Sequence, residues 1–234
     1  MPSTSQSKQE SSFSVMLPKP RAVIFDWDNT LVDTWPVIYE AMVATFEAMG
    51  HKPWTLEETK SRVSKSMRDA FPALFGDQWE KAGEIYQRHY REHSLDKLKS
   101  LPQSIDVLKR IAELGLHTVV VSNKKGPTLR KEVEHMGWAK YFEAIVGADD
   151  AVRDKPHVDP VHLAFDKSGI VPARDVWFIG DSEIDLECAL NTGCTAVLYG
   201  ESARHHPNYT DTHFHGQPYH AHVHDHTQTL ELLR

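Results

Sequence analysis

Apolar and polar positions fall into three successive rhythms along this chain. Val23–Thr30, read Val-Ile-Phe-Asp-Trp-Asp-Asn-Thr, opens as a short apolar run of β-formers and stops at two carboxylates. That pattern predicts a buried strand with a polar carboxyl end. Next, Val37, Ile38, Met42, Val43, Phe46 and Met49 recur near helical spacing, so Trp35–Met49 reads as a helix stopped by Gly50. Pro53 and Trp54 break the pattern, Thr55–Glu58 fits a capping box, Pro72 and Gly76 punctuate the next stretch, and Trp79–His93 reads as a longer helix. Trp35 to about Lys99 is therefore helix and turn only, set between strands: a helical insertion.

From Leu101 strands and helices alternate. Ser104–Leu114, Lys125–Met136, Asp159–Lys167 and Glu183–Asn191 read as helices; His117–Val121, Phe142–Val146, Asp175–Ile179 and Thr195–Leu198 read as strands. The alternation implies an α/β fold, a parallel sheet with helices on both faces. Ligands of such sheets bind beyond the strands' carboxyl ends. The predicted organisation is a disordered tail over 1–18, rich in Ser, Gln and Lys, a core over 19–33 and 100–234, and a cap over 34–99.

Composition adds exclusions. The formal net charge of -7 argues against a general nucleic-acid binder, although a site can be locally positive inside an acidic protein. Two cysteines, Cys188 and Cys194, are too few for a disulfide framework and suit a reduced cytoplasmic protein. No apolar run reaches membrane-span length, and the first residues lack the apolar centre of a secretory signal.

The strand ends hold the candidate chemistry. The first gives Asp26 and Asp28, two apart and hence on one face of a strand. Anions that close repel unless a cation or a reaction needs them there. Asn29 suits the turn after them, and Thr30 can tie it down. The second end runs into Ser122-Asn123-Lys124, Asp154-Lys155-Pro156 follows the third, and the fourth leads into Gly180-Asp181-Ser182-Glu183-Ile184-Asp185.

Taken together, Asp26-Trp27-Asp28-Asn29-Thr30, Ser122, Lys155-Pro156 and Gly180-Asp181 through Asp185 resemble the four motifs of the haloacid dehalogenase-like hydrolase superfamily. Val119–Leu163 is also similar to the phosphoglycolate phosphatase-like branch, and the likeness spans Arg21 to Leu198. The resemblance implies a Rossmann-like core with an all-helical cap inserted after the first motif, and a phosphatase of a small phosphorylated metabolite. It implies Asp26 as nucleophile forming an aspartyl-phosphate and Asp28 as general acid and base, protonated when substrate arrives. Asp26, Asp181 and the backbone carbonyl of Asp28 would hold Mg²⁺, with Asp185 steadying its waters. Ser122 and the backbone amide of Asn123 would hold phosphate oxygens beside Thr30, and Lys155 would pair with Asp26 and the phosphate, cutting the repulsion between them.

True dehalogenases of the superfamily lack the second aspartate, so Asp28 points to phosphorus chemistry. A sugar phosphomutase shares all the motifs, and a catalytically silent binding module is the contrasting alternative. In the cap, Ser64-Lys65-Ser66-Met67-Arg68 occupies the place of the family's specificity loop without its usual glycine. Lys65 and Arg68 are the candidates for contacting an anionic group of the substrate. Eight histidines lie between His205 and His226; with Tyr219–Asp225 as a strand, His220, His222, His224 and His226 would share one face, a candidate Zn²⁺, Ni²⁺ or Cu²⁺ ligand row. His205 and His206 are placed near the mouth of the site, and Gln228–Leu233 reads as a short last helix. A cytoplasmic monomer or homodimer, without nucleic-acid or membrane partner, completes the expectation.

Overall fold

The computed structural model describes residues 17–234. The predicted tail lies outside the described residues except for its last two. Leu17 packs on the core and the Pro18 carbonyl accepts a hydrogen bond from Trp177 Nε1 at 2.9 Å.

In chain order the strands are β1 (Ala22–Phe25), β2 (Val32–Asp33), β3 (Lys99–Ser100), β4 (His117–Lys125), β5 (Ala144–Ala148), β6 (Val176–Gly180), β7 (Thr195–Tyr199), β8 (His213–Phe214), β9 (Gln217–Pro218) and β10 (Ala221–Val223). The helices are α1 (Trp35–Ala48), α2 (Leu56–Arg62), α3 (Met67–Phe75), α4 (Trp79–Lys97), α5 (Ser104–Glu113), α6 (Gly126–His135), α7 (Asp159–Phe165), α8 (Glu183–Asn191) and α9 (His226–Leu232).

The main sheet is parallel, in the order β10-β7-β6-β1-β4-β5. The fully buried β1 at its centre shows why the apolar run folds as it does. Val23 and Phe25 pack on one face with residues of α5, α6 and α9, while Ala22 and Ile24 pack on the other with residues of α7 and α8. Alternation along a strand thus seals two apolar layers with one segment. From β1 the chain builds first toward β5 and then, on the other side, toward β10. The carboxyl ends of β4, β1 and β6 therefore lie side by side where the winding reverses, the place such folds keep for a ligand.

Helices α1 to α4 form the second layer, with an apolar cluster of their own that includes Ile38, Met42, Phe46, Phe71 and Phe75. The chain leaves and re-enters the core through the antiparallel pair β2–β3, where Val32 faces Ser100. The capping box of α2 is present, with Thr55 N–H donating to Glu58 Oε2 at 2.8 Å and Glu58 N–H to Thr55 Oγ1 at 3.1 Å. Helix α3 has no counterpart in the sequence pattern: it runs through Pro72, because Phe71 and Phe75, one turn apart, anchor it in the cap cluster. Pro72 removes the bond to the Arg68 carbonyl, a loss the burial of two aromatic rings outweighs.

The C-terminal prediction is corrected in part. Only Ala221–Val223 forms strand, and His226 begins α9 instead of continuing the row. Each ring has its own task. His220 Nδ1 accepts from Ala196 N–H (3.0 Å), His222 lies between the Gly200 carbonyl (2.9 Å) and the Tyr209 hydroxyl, His224 pairs with Glu201 (2.7 Å), and His226 Nε2 donates to the Thr30 carbonyl (2.8 Å). Among the described residues no transition-metal cage forms there, and no helix is long and apolar enough to cross a membrane.

Candidate active site

The end of β1 supplies Asp26, whose side chain is buried and receives Lys155 Nζ at 2.7 Å. Lys155 comes from the loop after β5 and also donates to Asp185 Oδ1 at 2.6 Å. Asp185 sits in the first turn of α8, where its other oxygen accepts from Ser182 N–H (3.0 Å) and Ser182 Oγ (2.6 Å) in a capping box. A helix N-terminus welcomes an acid, so the cap of α8 and the counter-ion of Lys155 are one residue. Asp181 completes the group: one carboxylate oxygen from each of Asp26, Asp181 and Asp185 lies within 4.8 Å of the others.

So much negative charge out of water is costly. Burial, reinforced by Asp185 and Asp28 against the pull of Lys155, pushes the Asp26 carboxyl up to about 7. Burial, then Asp26 and Asp185, hold Asp181 well above the usual carboxylate range. For Lys155 burial alone would favour the neutral amine, but Asp185 and Asp26 outweigh it and keep the ammonium. One ammonium among three carboxylates leaves an excess of negative charge on hard oxygen donors, which fits a divalent cation such as Mg²⁺.

Asp28 faces a different partner. Its Oδ1 accepts from Lys124 Nζ at 2.6 Å, and Lys124 also donates to the fully buried Glu132 at 2.5 Å. The same Glu132 oxygen accepts from Trp27 Nε1 at 2.8 Å. Sequence reasoning missed this linked group, which places an ammonium beside Asp28. Two signals were present: Lys124 is two residues from Ser122 in a strand, hence on its face, and Glu132 lies on the apolar stripe Thr128-Leu129-Glu132-Val133 of α6.

Asp26, Asp28, Ser122, Asn123, Lys155 and Asp181 line one cavity of about 140 Å³ beneath the cap, as do Lys65 and Arg68. Thr30 does not. It is fully buried, its hydroxyl turned to Asp181 at 3.4 Å, which corrects its reading as a substrate contact. Asp185 is likewise behind the cavity wall. Asn123 uses its side-chain amide to hold the Lys155 carbonyl (3.1 Å) and the Ser64 carbonyl of the cap (3.3 Å). Arg68 clasps the buried Asp154 with two bonds of 2.6 Å, so its charge is already matched. Lys65 is exposed and has no carboxylate within ion-pair distance among the described residues. His206 borders a smaller crevice with Ser64, Asp181 and Glu183, beside the main cavity.

The family model for haloacid dehalogenase-like hydrolases matches residues 23–199. A phosphoglycolate phosphatase from Chromobacterium violaceum is 30% identical over 189 residues, covering 77% of this chain and 85% of the relative. Among solved structures, a HAD-superfamily hydrolase from Ehrlichia chaffeensis is 27% identical with a TM-score of 0.61, covering 93% of this chain and 97% of its own. A haloacid dehalogenase-like family hydrolase from Streptococcus pneumoniae has the same fold at 22% identity, TM-score 0.75, covering 92% and 99%. The chain belongs to the haloacid dehalogenase-like hydrolase family, in its phosphoglycolate phosphatase-like branch.

Proposed function

We propose that this hydrolase is a Mg²⁺-dependent phosphatase that cleaves a small phosphate monoester through an aspartyl-phosphate on Asp26. The observation that carries the reading is the buried Asp26–Lys155 pair at 2.7 Å, set against Asp181 at the convergence of three strand ends. A carboxylate can attack a phosphate dianion only where positive charge screens the approach. Lys155 supplies that charge and fixes the Asp26 carboxylate through one oxygen, leaving the other to attack.

In the first half-reaction an Asp26 oxygen bonds to phosphorus, the ester P–O bond breaks, and Asp28 gives its proton to the departing alkoxide. In the second, Asp28 takes a proton from water, the hydroxide bonds to phosphorus, and the Asp26–phosphorus bond breaks to release inorganic phosphate. Lys124, held by Glu132, orients Asp28 for both transfers. Ser122, buried near the carboxyl end of β4 with its hydroxyl beside the Lys124 amide (3.2 Å), is set to bind a phosphate oxygen. Mg²⁺, held by Asp26, Asp181 and the Asp28 backbone carbonyl, would neutralise phosphate charge when bound. The cap over this pocket keeps bulk solvent out while leaving room for the one water that Asp28 activates.

The test is hydrolysis of 4-nitrophenyl phosphate with Mg²⁺, with EDTA, and with Asp26→Asn. Turnover that survives Asp26→Asn would falsify the assigned nucleophile; turnover that survives EDTA removes the metal from the scheme.

A further inference from the structure

We infer that the cap cavity selects a phosphate monoester whose alcohol carries an apolar, ring-bearing body, in preference to the ester of a small carboxylic acid. The inference rests on the phosphatase reading above and names the kind of ester.

The cavity runs without interruption from Asp26, Asp28 and Asp181 at the sheet to the underside of the cap. That underside is built from Ile38 and Met42 of α1, Phe71 and Leu74 of α3, and Tyr86 and Tyr90 of α4. An ester gripped by its phosphate at the strand ends directs its alcohol at this surface. Water held against the apolar parts of this surface gains little there, whereas a ring displaces that water and buries its own surface. Aromatic walls add edge and face contacts to another ring.

The cations of the cavity argue the same way. A substrate carboxylate leaving water needs a charged or hydrogen-bonding partner. Arg68 is clasped by Asp154, Lys124 is shared by Asp28 and Glu132, Lys125 is paired with Asp149, and Lys155 is held by Asp26 and Asp185. Arg62 lies over the Trp54 ring and pairs with Glu58. Lys65 is the one lining cation without such a partner among the described residues, and it is exposed. Among its cations the cavity therefore offers a second anion one solvated ammonium, while a ring meets the apolar and aromatic side chains of the cap underside.

The experiment compares ethyl phosphate, phosphoglycolate and 2-phenylethyl phosphate as substrates of the full chain with Mg²⁺. The expected kcat/KM for 2-phenylethyl phosphate exceeds that for ethyl phosphate by about tenfold or more and also exceeds that for phosphoglycolate, in line with burial of one ring. In parallel, calorimetry of the same protein with the non-hydrolysable propylphosphonate and 3-phenylpropylphosphonate reads the cap without turnover, and the phenyl compound is expected to bind about tenfold tighter. Leu74→Asn, a change on a half-buried wall position, should cut the phenyl advantage at least threefold in both assays. Equal binding of the two phosphonates, or a kcat/KM for phosphoglycolate above that for 2-phenylethyl phosphate, overturns the inference. Failure of the phosphatase reading shows elsewhere, as absent hydrolysis of every ester while the phenyl phosphonate keeps its advantage.

Discussion

At the carboxyl edge of the sheet, two buried ammoniums are each fixed between two carboxylates, Lys155 by Asp26 and Asp185 and Lys124 by Asp28 and Glu132, with Asp181 left over as excess negative charge. Across the cavity, the cap meets these groups with Ile38, Met42, Phe71 and Leu74, and with the polar turn at Ser64–Arg68. The two surfaces line the same pocket under different constraints. An electrostatic site works only when its charges are fixed in place, so its positions tolerate almost nothing. An apolar wall works by area and shape, so its positions trade against one another. On the proposed reading the sheet edge sets the reaction, and the cap sets which ester reaches it.

The largest expected effect is on the sheet side. Asp26→Asn keeps shape and most packing but removes the proposed nucleophile, and kcat for an aryl phosphate should fall by roughly 1000-fold or more. Steady-state assay with circular dichroism as a folding control reads this. No single cap substitution should approach it, and one that did would erase the contrast.

Next comes Glu132→Ala. It strips Lys124 of one of two counter-charges and leaves Trp27 Nε1 without its acceptor in a fully buried place. Breaking a buried pair by removing one partner costs about 3 kcal/mol or more, to be read by urea unfolding. A loss under about 0.5 kcal/mol, the range of an exposed site, would show that the network is not what fixes Asp28.

His226 extends the comparison to the back of the site. It is buried under Tyr199, its ring centroid 4.5 Å away, and donates to the Thr30 carbonyl. Burial pushes the imidazole down to about 4 from an ordinary 6.5. The unfolded chain therefore binds a proton between these values that the folded chain refuses, and stability rises with pH across that window. The His226 contribution is intact above about pH 6.5 and lost as pH falls toward 4, amounting to about 2 kcal/mol by pH 5. Urea unfolding at pH 7.5 and pH 5 should show a difference that shrinks by roughly that amount in His226→Gln.

A smaller effect is expected from metal. Asp26 and Asp181 are held above the usual carboxylate range, and a cation binds them only deprotonated. Mg²⁺ should therefore raise Tm more at pH 8 than at pH 6, by about 1.4 kcal/mol of stability at tenfold excess over Kd. Asp181→Asn should abolish the shift. An equal rise at both pH values would mean that the cation binds elsewhere.

The same contrast explains what the sequence disclosed. Asp26, Ser122 and Asp181 stand at or near strand ends and Lys155 in the loop after β5, and a rule about sheets selects that edge without knowledge of any contact. Lys124 stands at such an end too, but the rule says nothing of its partner Glu132, which lies in a helix. Glu132 meets Trp27 from 105 residues away, and its burial reads locally as an interruption in the apolar stripe of α6. Arg68 reads in sequence as a hand for the substrate because its partner, Asp154, is 86 residues distant. Helix α3 is hidden by Pro72, whose local cost is visible while the packing of Phe71 and Phe75 is not. The histidine row shows the converse. Its alternation correctly marks a strand edge, but the backbone groups that occupy the rings belong to other segments.

The finest division between the two surfaces runs through Lys65. It is exposed and lines the cavity from the cap, with no carboxylate partner among the described residues. A solvated ammonium at a rim gains about 0.2–1 kcal/mol from an opposite charge. Lys65→Ala should therefore raise KM for phosphoglycolate by no more than about fivefold, leave kcat unchanged, and leave KM for ethyl phosphate where it was. Salt supplies the second reading, since screening weakens an exposed pair far more than a buried one. The KM difference between the two proteins should fade as ionic strength rises toward about 1 M, while the loss in Asp26→Asn persists. If KM for both esters moves together, Lys65 acts through the fold of the turn and not through its charge. If neither moves, the cap recognises no second anion, and selection there rests on apolar surface alone.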